Sequence, residues 1–188
     1  MLPPLIPFIL AAPSSIVRQS VSTVVNGNGT GSVSVARPPG TATGDVLVAC
    51  LALNGGGVAA APAGWSSIAA VTAISSTRVF GYYRVAGNAE PATYQWTLSS
   101  AVANGAGIVR YSGVDAVTPI DVAARTASGA AAKTGTVPGV TTTTVNTMLT
   151  GCMSIDASAA SMTIGSPVGM TQGGRGSPAR SNRPRPRD

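Results

Sequence analysis

Short apolar segments separated by turn-forming residues recur along this chain at a spacing of roughly ten residues, and they constrain its fold more than any other feature. No segment sustains the three-and-four spacing of apolar residues that marks an amphipathic helix. We therefore predict an all-β protein, a single antiparallel β-sandwich of jelly-roll or immunoglobulin-like type. The separating sequences are NGNGTG (Asn26–Gly31), RPPGTATG (Arg37–Gly44), NGGG (Asn54–Gly57), AGNAEP (Ala86–Pro91) and ANG (Ala103–Gly105).

The predicted sandwich covers residues 16–171, between an apolar, Pro-rich N-terminal arm at residues 1–15 and an Arg/Pro-rich tail at residues 172–188. One strand, Asp45–Leu53, is apolar on both faces, which predicts a central strand covered on both sides. The predicted strands are Ile16–Val25, Ser32–Arg37, Asp45–Leu53, Ser67–Ile74, Thr77–Ala86, Thr93–Leu98, Gly107–Gly113, Ile120–Thr126, Thr136–Val145, Thr147–Ile155 and Ser161–Ile164.

An imperfect internal repeat relates Gly44–Trp65 to Asn146–Met170 and aligns Cys50 with Cys152. The two cysteines allow one disulfide at most, and only if their strands are neighbours, so free and largely buried thiols are the favoured prediction. After the second copy no strand pattern remains. The strands near Thr147–Ile155 or Ser161–Ile164 are therefore predicted to have an open edge. Either a neighbouring subunit donates a strand to it, which we favour, or the chain is shortened or frame-altered and only marginally stable alone.

Alternation within Thr77–Ala86 predicts which of its side chains are buried. Val79, Tyr83 and Val85 are assigned to the core, and the opposite face is expected to point outward. Aromatic rings beside guanidinium groups can stack on sugars or form an interface hot spot. Packing beneath a loop or against the arm is the favoured alternative, because strand aromatics commonly pair across strands. The outward set comprises Arg78, Phe80, Tyr82 and Arg84.

Two further strands carry clear apolar faces. Tyr94, Trp96 and Leu98 form one face, and Val109 and Tyr111 form another. Trp65 and Trp96 are accordingly expected to be buried.

The chain offers few side chains for catalysis or metal binding. Charged residues make up 10% of it, and His is absent. Neither a catalytic triad nor a closed set of transition-metal ligands can be assembled from these residues, so we predict no enzyme, no cofactor and no bound metal beyond a hard cation on turn oxygens. A carboxylate pair for glycoside cleavage is disfavoured because the acids are scattered singly. The acids before the tail are Asp45, Glu90, Asp115, Asp121 and Asp156.

The net charge of +6 is concentrated at the C-terminus. Residues 1–174 hold seven basic and five acidic side chains, so the predicted sandwich is nearly neutral. Any polyanion binding is then a property of the tail, which is expected to be disordered, and no specific nucleic-acid partner is predicted. The tail arginines are Arg175, Arg180, Arg183, Arg185 and Arg187.

The N-terminal arm combines large apolar residues with helix-breaking prolines. No Lys or Arg precedes Arg18, and Pro3, Pro4 and Pro7 interrupt the apolar stretch, so neither a secretion signal nor a membrane span is predicted. Burial against a neighbouring subunit is the expected role of the arm. Its candidate assembly residues are Leu2, Leu5, Ile6, Phe8 and Ile9.

Several landmarks occur in a recurrent order between Ser20 and Thr171: GDVLVACLAL, APAGWSSI, VFGYYRVAG, EPATYQWTLSS, GAGIVRYSGVD, TPIDV and SPVGMT. This pattern resembles a β-sandwich module of tailed-phage and prophage structural proteins, often minor tail or tail-fibre components, and of some bacterial surface proteins. The tail GGRGSPARSNRPRPRD departs from it, since that family has further strands after this point.

The resemblance implies a virion structural protein, a tail, fibre or capsid-surface component that forms a homo-oligomer and binds other virion proteins. A carbohydrate-binding or adhesive module on a phage tip or bacterial surface, using Phe80 and Tyr82, is the alternative. The first implies location in the virion; the second implies an extracellular or cell-surface location.

Overall fold

The computed structural model describes residues 15–55, 57, 59–71, 77–126 and 139–154. Within these residues the chain forms strands and no helix, and none of them could therefore span a membrane as a helix. The all-β prediction is confirmed for this part of the chain. The strands are β1 (Val17–Ala36), β2 (Val46–Asn54), β3 (Ala59–Ala60), β4 (Ser66–Val71), β5 (Thr77–Val85) and β6 (Thr93–Ser112).

All six strands belong to one antiparallel sheet that does not close. The hydrogen-bonded order is β1-β6-β2-β5-β4, and β3 pairs with β6 outside this path. β2 therefore lies at the centre, between β6 and β5, as its apolar composition predicted.

Two segments that were predicted to be turns lie inside the long strands. NGNGTG lies within β1 and ANG lies within β6, and Asn26 pairs with Asn104 there. The pairing register shifts between Asn26 and Ser32, where Gly29 has a φ of 74°. These glycine-rich segments thus form an irregular, bulged stretch rather than hairpin turns, and the turn predictions are wrong.

The irregular stretch changes which side chains of β1 point inward. Val24 packs against the core before it, whereas Val33 and Val35 are the buried residues after it. The shift from even to odd positions keeps apolar side chains on one face of a strand that would otherwise turn them outward.

The first face of the sheet carries the main core, which joins both halves of β6. The rings of Trp96, in the first half of β6, and Tyr82, on β5, lie 6.1 Å apart, although β5 and β6 are not hydrogen-bonded neighbours. The two halves of the sheet therefore face each other across this core. It contains Val33, Val35, Leu47, Ala49, Leu51, Leu53, Ala59, Trp65, Phe80, Tyr82, Ala86, Tyr94, Trp96, Leu98, Ala106 and Ile108.

The second face of β2 carries a smaller apolar cluster of Val46, Val48 and Tyr111. β2 is thus buried on both faces, as predicted. Partly buried residues pack around this cluster: Ile16, Ile68, Val85, Val109 and Val114.

Several predicted strands are not formed in the described residues. Residues 120–126, 139–145 and 147–154 contain no strand, so the predictions of Ile120–Thr126 and Thr147–Ile155 are wrong over those residues, as is the described part of Thr136–Val145. Ser161–Ile164, the arm residues Leu2, Leu5, Ile6, Phe8 and Ile9, and the arginine-rich tail lie outside the described residues.

Candidate functional site

The predicted outward aromatics of β5 lie inside the protein. Phe80 is 7% exposed and Tyr82 is 6% exposed, and their rings stack with centroids 6.4 Å apart. The Tyr82 hydroxyl donates a hydrogen bond to the backbone oxygen of Ala59 at 2.8 Å. The predicted orientation of β5 is therefore wrong. Both of its faces are apolar, and the other half of the sheet covers the face that carries these rings.

The two arginines of the same set are held by groups of the protein itself. Arg78 donates to the backbone oxygen of Gly57 at 3.5 Å, and Arg84 donates to that of Ala63 at 2.8 Å. The structure thus places Phe80 and Tyr82 together in the core. Neither arginine joins them in an exposed aromatic platform.

Arg84 is the centre of a network that the sequence did not reveal. Its Nε donates to both carboxylate oxygens of Glu90, at 3.0 and 2.9 Å, and its Nη2 donates to Oε1 at 2.9 Å. Glu90 also accepts from the Tyr94 hydroxyl and the Gly87 amide, each at 2.6 Å. The sequence offered only a weak signal for this pair, namely that Glu90 follows Arg84 by six residues, in the connection between β5 and β6.

This network shifts the pKa values of Glu90 and Tyr94. Burial alone raises the pKa of Glu90, but the hydrogen bonds from Arg84, Tyr94 and Gly87 outweigh it and lower that pKa below its ordinary value. Burial, and then the hydrogen bond to Glu90, raises the pKa of Tyr94. The hydrogen bonds thus favour Glu90 as the carboxylate that accepts and Tyr94 as the hydroxyl that donates. We call Arg84, Glu90 and Tyr94 the Glu90 clamp.

Trp65 joins this clamp to the main core. Its ring lies 5.1 Å from that of Tyr94 and 5.1 Å from that of Trp96, both in edge contacts. Trp65 is 8% exposed and Trp96 is fully buried, so the expected burial of both tryptophans is confirmed.

A second arrangement lies on the opposite face, where Cys50 and Cys152 form a disulfide. The prediction of free thiols is wrong. Cys152 does not belong to a neighbouring strand, because residues 147–154, which we call the strap, contain no strand and lie on the second face instead. The Cys50 side chain lies on this face of β2 and can thus bond to a cysteine that is not in a neighbouring strand.

The surroundings of Cys50 make room for this link. Cys50 pairs with Gly81 on β5 and with Gly107 on β6, so the positions on both sides of it lack side chains. A Cβ atom at Gly81 would lie 3.9 Å from the Sγ of Cys152. The Cys152 sulfur lies beside the Gly81 position, which Ile68 also borders at 3.7 Å, whereas Thr23 borders the Gly107 position at 3.4 Å. We call the row Gly81–Cys50–Gly107 the trough.

Two sets of hydrogen bonds attach this part of the chain to other residues. The hydroxyls of Tyr111 and Thr150 share a hydrogen bond of 3.1 Å. Before the strap, the Asp121 carboxylate accepts from the Thr143 amide at 2.8 Å and from the Thr144 hydroxyl at 3.0 Å. The Thr143 hydroxyl also donates to this carboxylate, and it is the largest cause of the lowered pKa of Asp121.

Large apolar side chains are exposed in the strap and just before it. Val145 is 87% exposed, Leu149 is 64% exposed and Met153 is 51% exposed. They recur at every fourth residue, and we call them the apolar row. Because large apolar side chains are usually buried, three exposed ones on one short segment make it a candidate contact surface.

Within the described ranges, no group of three or more potential metal ligands occurs. Asp45 lies 3.1 Å from the Nε of Arg110 and accepts from the Ala42 amide at 2.8 Å. Asp115 accepts from the Val117 amide at 2.9 Å. The described carboxylates therefore stabilise turns and ion pairs of the chain itself.

The chain has no significant match among family models, curated proteins or solved structures.

Proposed function

We propose that this protein is a non-enzymatic structural component of a tailed-phage virion, in the tail, in a fibre or on the capsid surface. It acts through contacts with copies of itself and with other virion proteins. The observation that carries this proposal is the apolar row of Val145, Leu149 and Met153, whose exposure in water is unfavourable by about 25 cal/mol per Å² of apolar surface. A partner that covers the row recovers this free energy.

We further propose that the complete fold is a β-sandwich of jelly-roll or immunoglobulin-like type. The core supports this, because it joins Tyr94, Trp96 and Leu98 in one half of β6 to Ala106 and Ile108 in the other. A single hydrogen-bonded sheet whose two halves pack on each other has the layered core of a sandwich.

The edges of the sheet support an assembling role. β1 and β4 end the hydrogen-bonded order, so each has one side without a strand partner among the described residues. Edge strands are sites at which a second chain can add. The proposal that the N-terminal arm takes part in assembly remains a prediction from its apolar composition.

The absence of an enzymatic role is proposed from the sequence, which contains no His and few carboxylates. A virion location is supported by the disulfide, because such bonds persist in oxidising surroundings outside the cytosol. The carbohydrate-binding alternative relied on outward Phe80 and Tyr82. Since both are buried, we do not advance it.

Sedimentation of the full-length chain over a range of concentrations tests the proposed self-association. The variant Val145→Thr/Leu149→Thr/Met153→Thr should shift association to at least tenfold higher concentration. A matched control, Thr93→Ser/Gln95→Ser/Thr97→Ser, changes exposed positions of β6 and should associate like the unaltered chain. A wild-type chain that is monomeric throughout, or a triple Thr variant that associates unchanged, contradicts the proposal.

The virion assignment needs a separate measurement. Mass spectrometry of purified particles produced by the genome that encodes this chain should detect it in stoichiometric amounts. Its absence from intact particles refutes the virion assignment, whatever the sedimentation result.

A further inference from the structure

The strap is attached to the sheet differently from every strand of the fold. Residues 147–154 form no strand pairing, so no ladder of backbone hydrogen bonds fixes them to the sheet. Their described attachments are the Thr150–Tyr111 hydrogen bond and the Cys152–Cys50 disulfide. The position of the strap therefore depends on side chains.

Hydrophobic burial contributes little to this attachment. Met148 is 41% exposed, and Leu149 and Met153 are more exposed still. A segment whose largest apolar side chains face solvent gains little from lying on a surface. One hydroxyl pair and one covalent bond are then the main contacts, and the covalent bond dominates.

The disulfide is placed where a reductant can reach it. Cys50 and Cys152 are both partly exposed, and the residues that pair with Cys50 on the two neighbouring strands are glycines. Access to a sulfur atom is one condition for thiol–disulfide exchange.

We propose that Cys50–Cys152 is a redox latch that holds the strap on the second face of the sheet. A dithiol reductant opens it in two steps. One of its thiolates attacks a sulfur of the disulfide to give a mixed disulfide, and its second thiol then displaces the protein sulfur. The reductant becomes a disulfide, two electrons pass to the protein, and Cys50 and Cys152 take up two protons as thiols.

Opening the latch releases the strap and leaves the sheet folded. The main core lies on the other face, and none of its residues belongs to the strap. The Asp121–Thr143 contact lies before the strap and does not depend on the disulfide. Release uncovers the Tyr111 hydroxyl and the trough at Gly81, Cys50 and Gly107. This inference does not depend on the proposed virion function.

Hydroxyl-radical footprinting of the full-length chain, oxidised or reduced with dithiothreitol and alkylated, tests the latch. Labelling of Tyr111, which is 8% exposed with the strap in place, should rise at least threefold on reduction. Labelling of Tyr82 and Trp96, on the other face, should change by less than a factor of 1.5. The variant Cys50→Ser/Cys152→Ser should label like the reduced chain and should not respond to dithiothreitol.

Three other outcomes would contradict the proposed latch. Unchanged labelling of Tyr111 on reduction would show that the strap stays in place without the disulfide. An equal rise in the labelling of Tyr82 and Trp96 would show that the disulfide stabilises the whole fold and not the strap alone. If thiol titration finds that millimolar dithiothreitol leaves the native disulfide intact, reductants cannot operate it.

Discussion

Cys50 on β2 pairs directly with Gly81 on β5, where an added Cβ would lie 3.9 Å from the sulfur of Cys152. Neither a cysteine nor a glycine in a central strand predicts this contact by itself. A glycine in a central strand weakens the strand, so its presence there indicates a close approach by another part of the chain. Here that part is the strap.

Substitution of Gly81 should therefore control disulfide formation. Gly81→Ala adds a Cβ at 3.9 Å from the Cys152 sulfur, an ordinary contact, and should oxidise normally. Gly81→Leu places further carbons in the trough and should leave Cys50 and Cys152 as thiols. Titration of thiols in denaturant without reductant checks both variants. A fully oxidised Leu variant contradicts the proposed packing.

Reduction should lower stability without unfolding the sheet. The disulfide joins residues separated by 102 positions, and closing such a loop restricts the unfolded chain by roughly 4–5 kcal/mol. Because a domain has a stability of about 5–15 kcal/mol, we expect a cooperative urea transition at a lower midpoint. Urea titration of the oxidised chain and of Cys50→Ser/Cys152→Ser measures the difference. A double Ser variant without a cooperative transition contradicts this expectation.

Trp96 should contribute more to stability through its ring than through its indole nitrogen. The side chain is fully buried, and its Nε1 has no hydrogen-bond acceptor among the described residues. Trp96→Ala should lower the free energy of unfolding by roughly 3–5 kcal/mol, and Trp96→Phe by less than half of that. Chemical denaturation of both variants tests the comparison. Equal losses for the two variants would contradict a larger contribution from the ring than from the indole nitrogen.

The Glu90 clamp predicts a specific dependence of stability on pH. The folded-state pKa of Glu90 is lowered, so its contribution is complete above the ordinary value of 4.5 and is lost as the pH falls through the lower folded value. Glu90→Gln should cost roughly 1.5–3 kcal/mol at pH 7 and reduce the acid sensitivity of unfolding. Tyr94→Phe keeps the arginine pair and should have a smaller effect.

Urea titrations at pH 7, 5 and 3 check this series. The unaltered chain should lose stability towards pH 3 more steeply than Glu90→Gln does. Parallel pH profiles for these two proteins would show that Glu90 is not responsible.

The sequence indicated most strands of the sheet but not the bulged stretch at which β1 and β6 continue through predicted turns. Gly and Asn at NGNGTG and ANG have the composition of a hairpin turn, and the same residues suit a bulge with positive φ at Gly29. Composition alone does not distinguish the two. The choice depends on the pairing of Asn26 with Asn104, which is a long-range contact.

The orientation of β5 was missed for a related reason. Its alternation separates two sets of side chains, but both sets are apolar enough to be buried, and only the covering elements decide which one is. Phe80 and Tyr82 face the opposite half of the sheet, whereas Val85 faces the smaller cluster. The disulfide, whose cysteines are 102 positions apart, also depends on such a tertiary contact.

The bulged stretch of β1 and β6 should depend on Asn104, which is 2% exposed. Its Oδ1 accepts from Asn26, and its Nδ2 donates to the Thr30 hydroxyl and to the Val102 oxygen, all at 2.9 Å. Asn104→Ala leaves these groups without their partner and should lower stability by roughly 2–4 kcal/mol. Gln95→Ala, at an exposed position of β6, serves as the control and should cost less than about 0.5 kcal/mol.

Asn104→Asp separates the two roles of the amide. The carboxylate can accept from Asn26 but cannot donate to Thr30 or Val102, and its charge is buried. We therefore expect a larger loss than for Ala at pH 7. Burial raises the pKa of such a carboxyl group, so protonation on acidification should restore part of the loss relative to Asn104→Ala. Urea titrations of the two variants at pH 7 and 4 give the comparison. If the free energies of unfolding of the Asp and Ala variants differ by the same amount at both pH values, Asn104 does not stabilise the bulged stretch through a buried, donating amide.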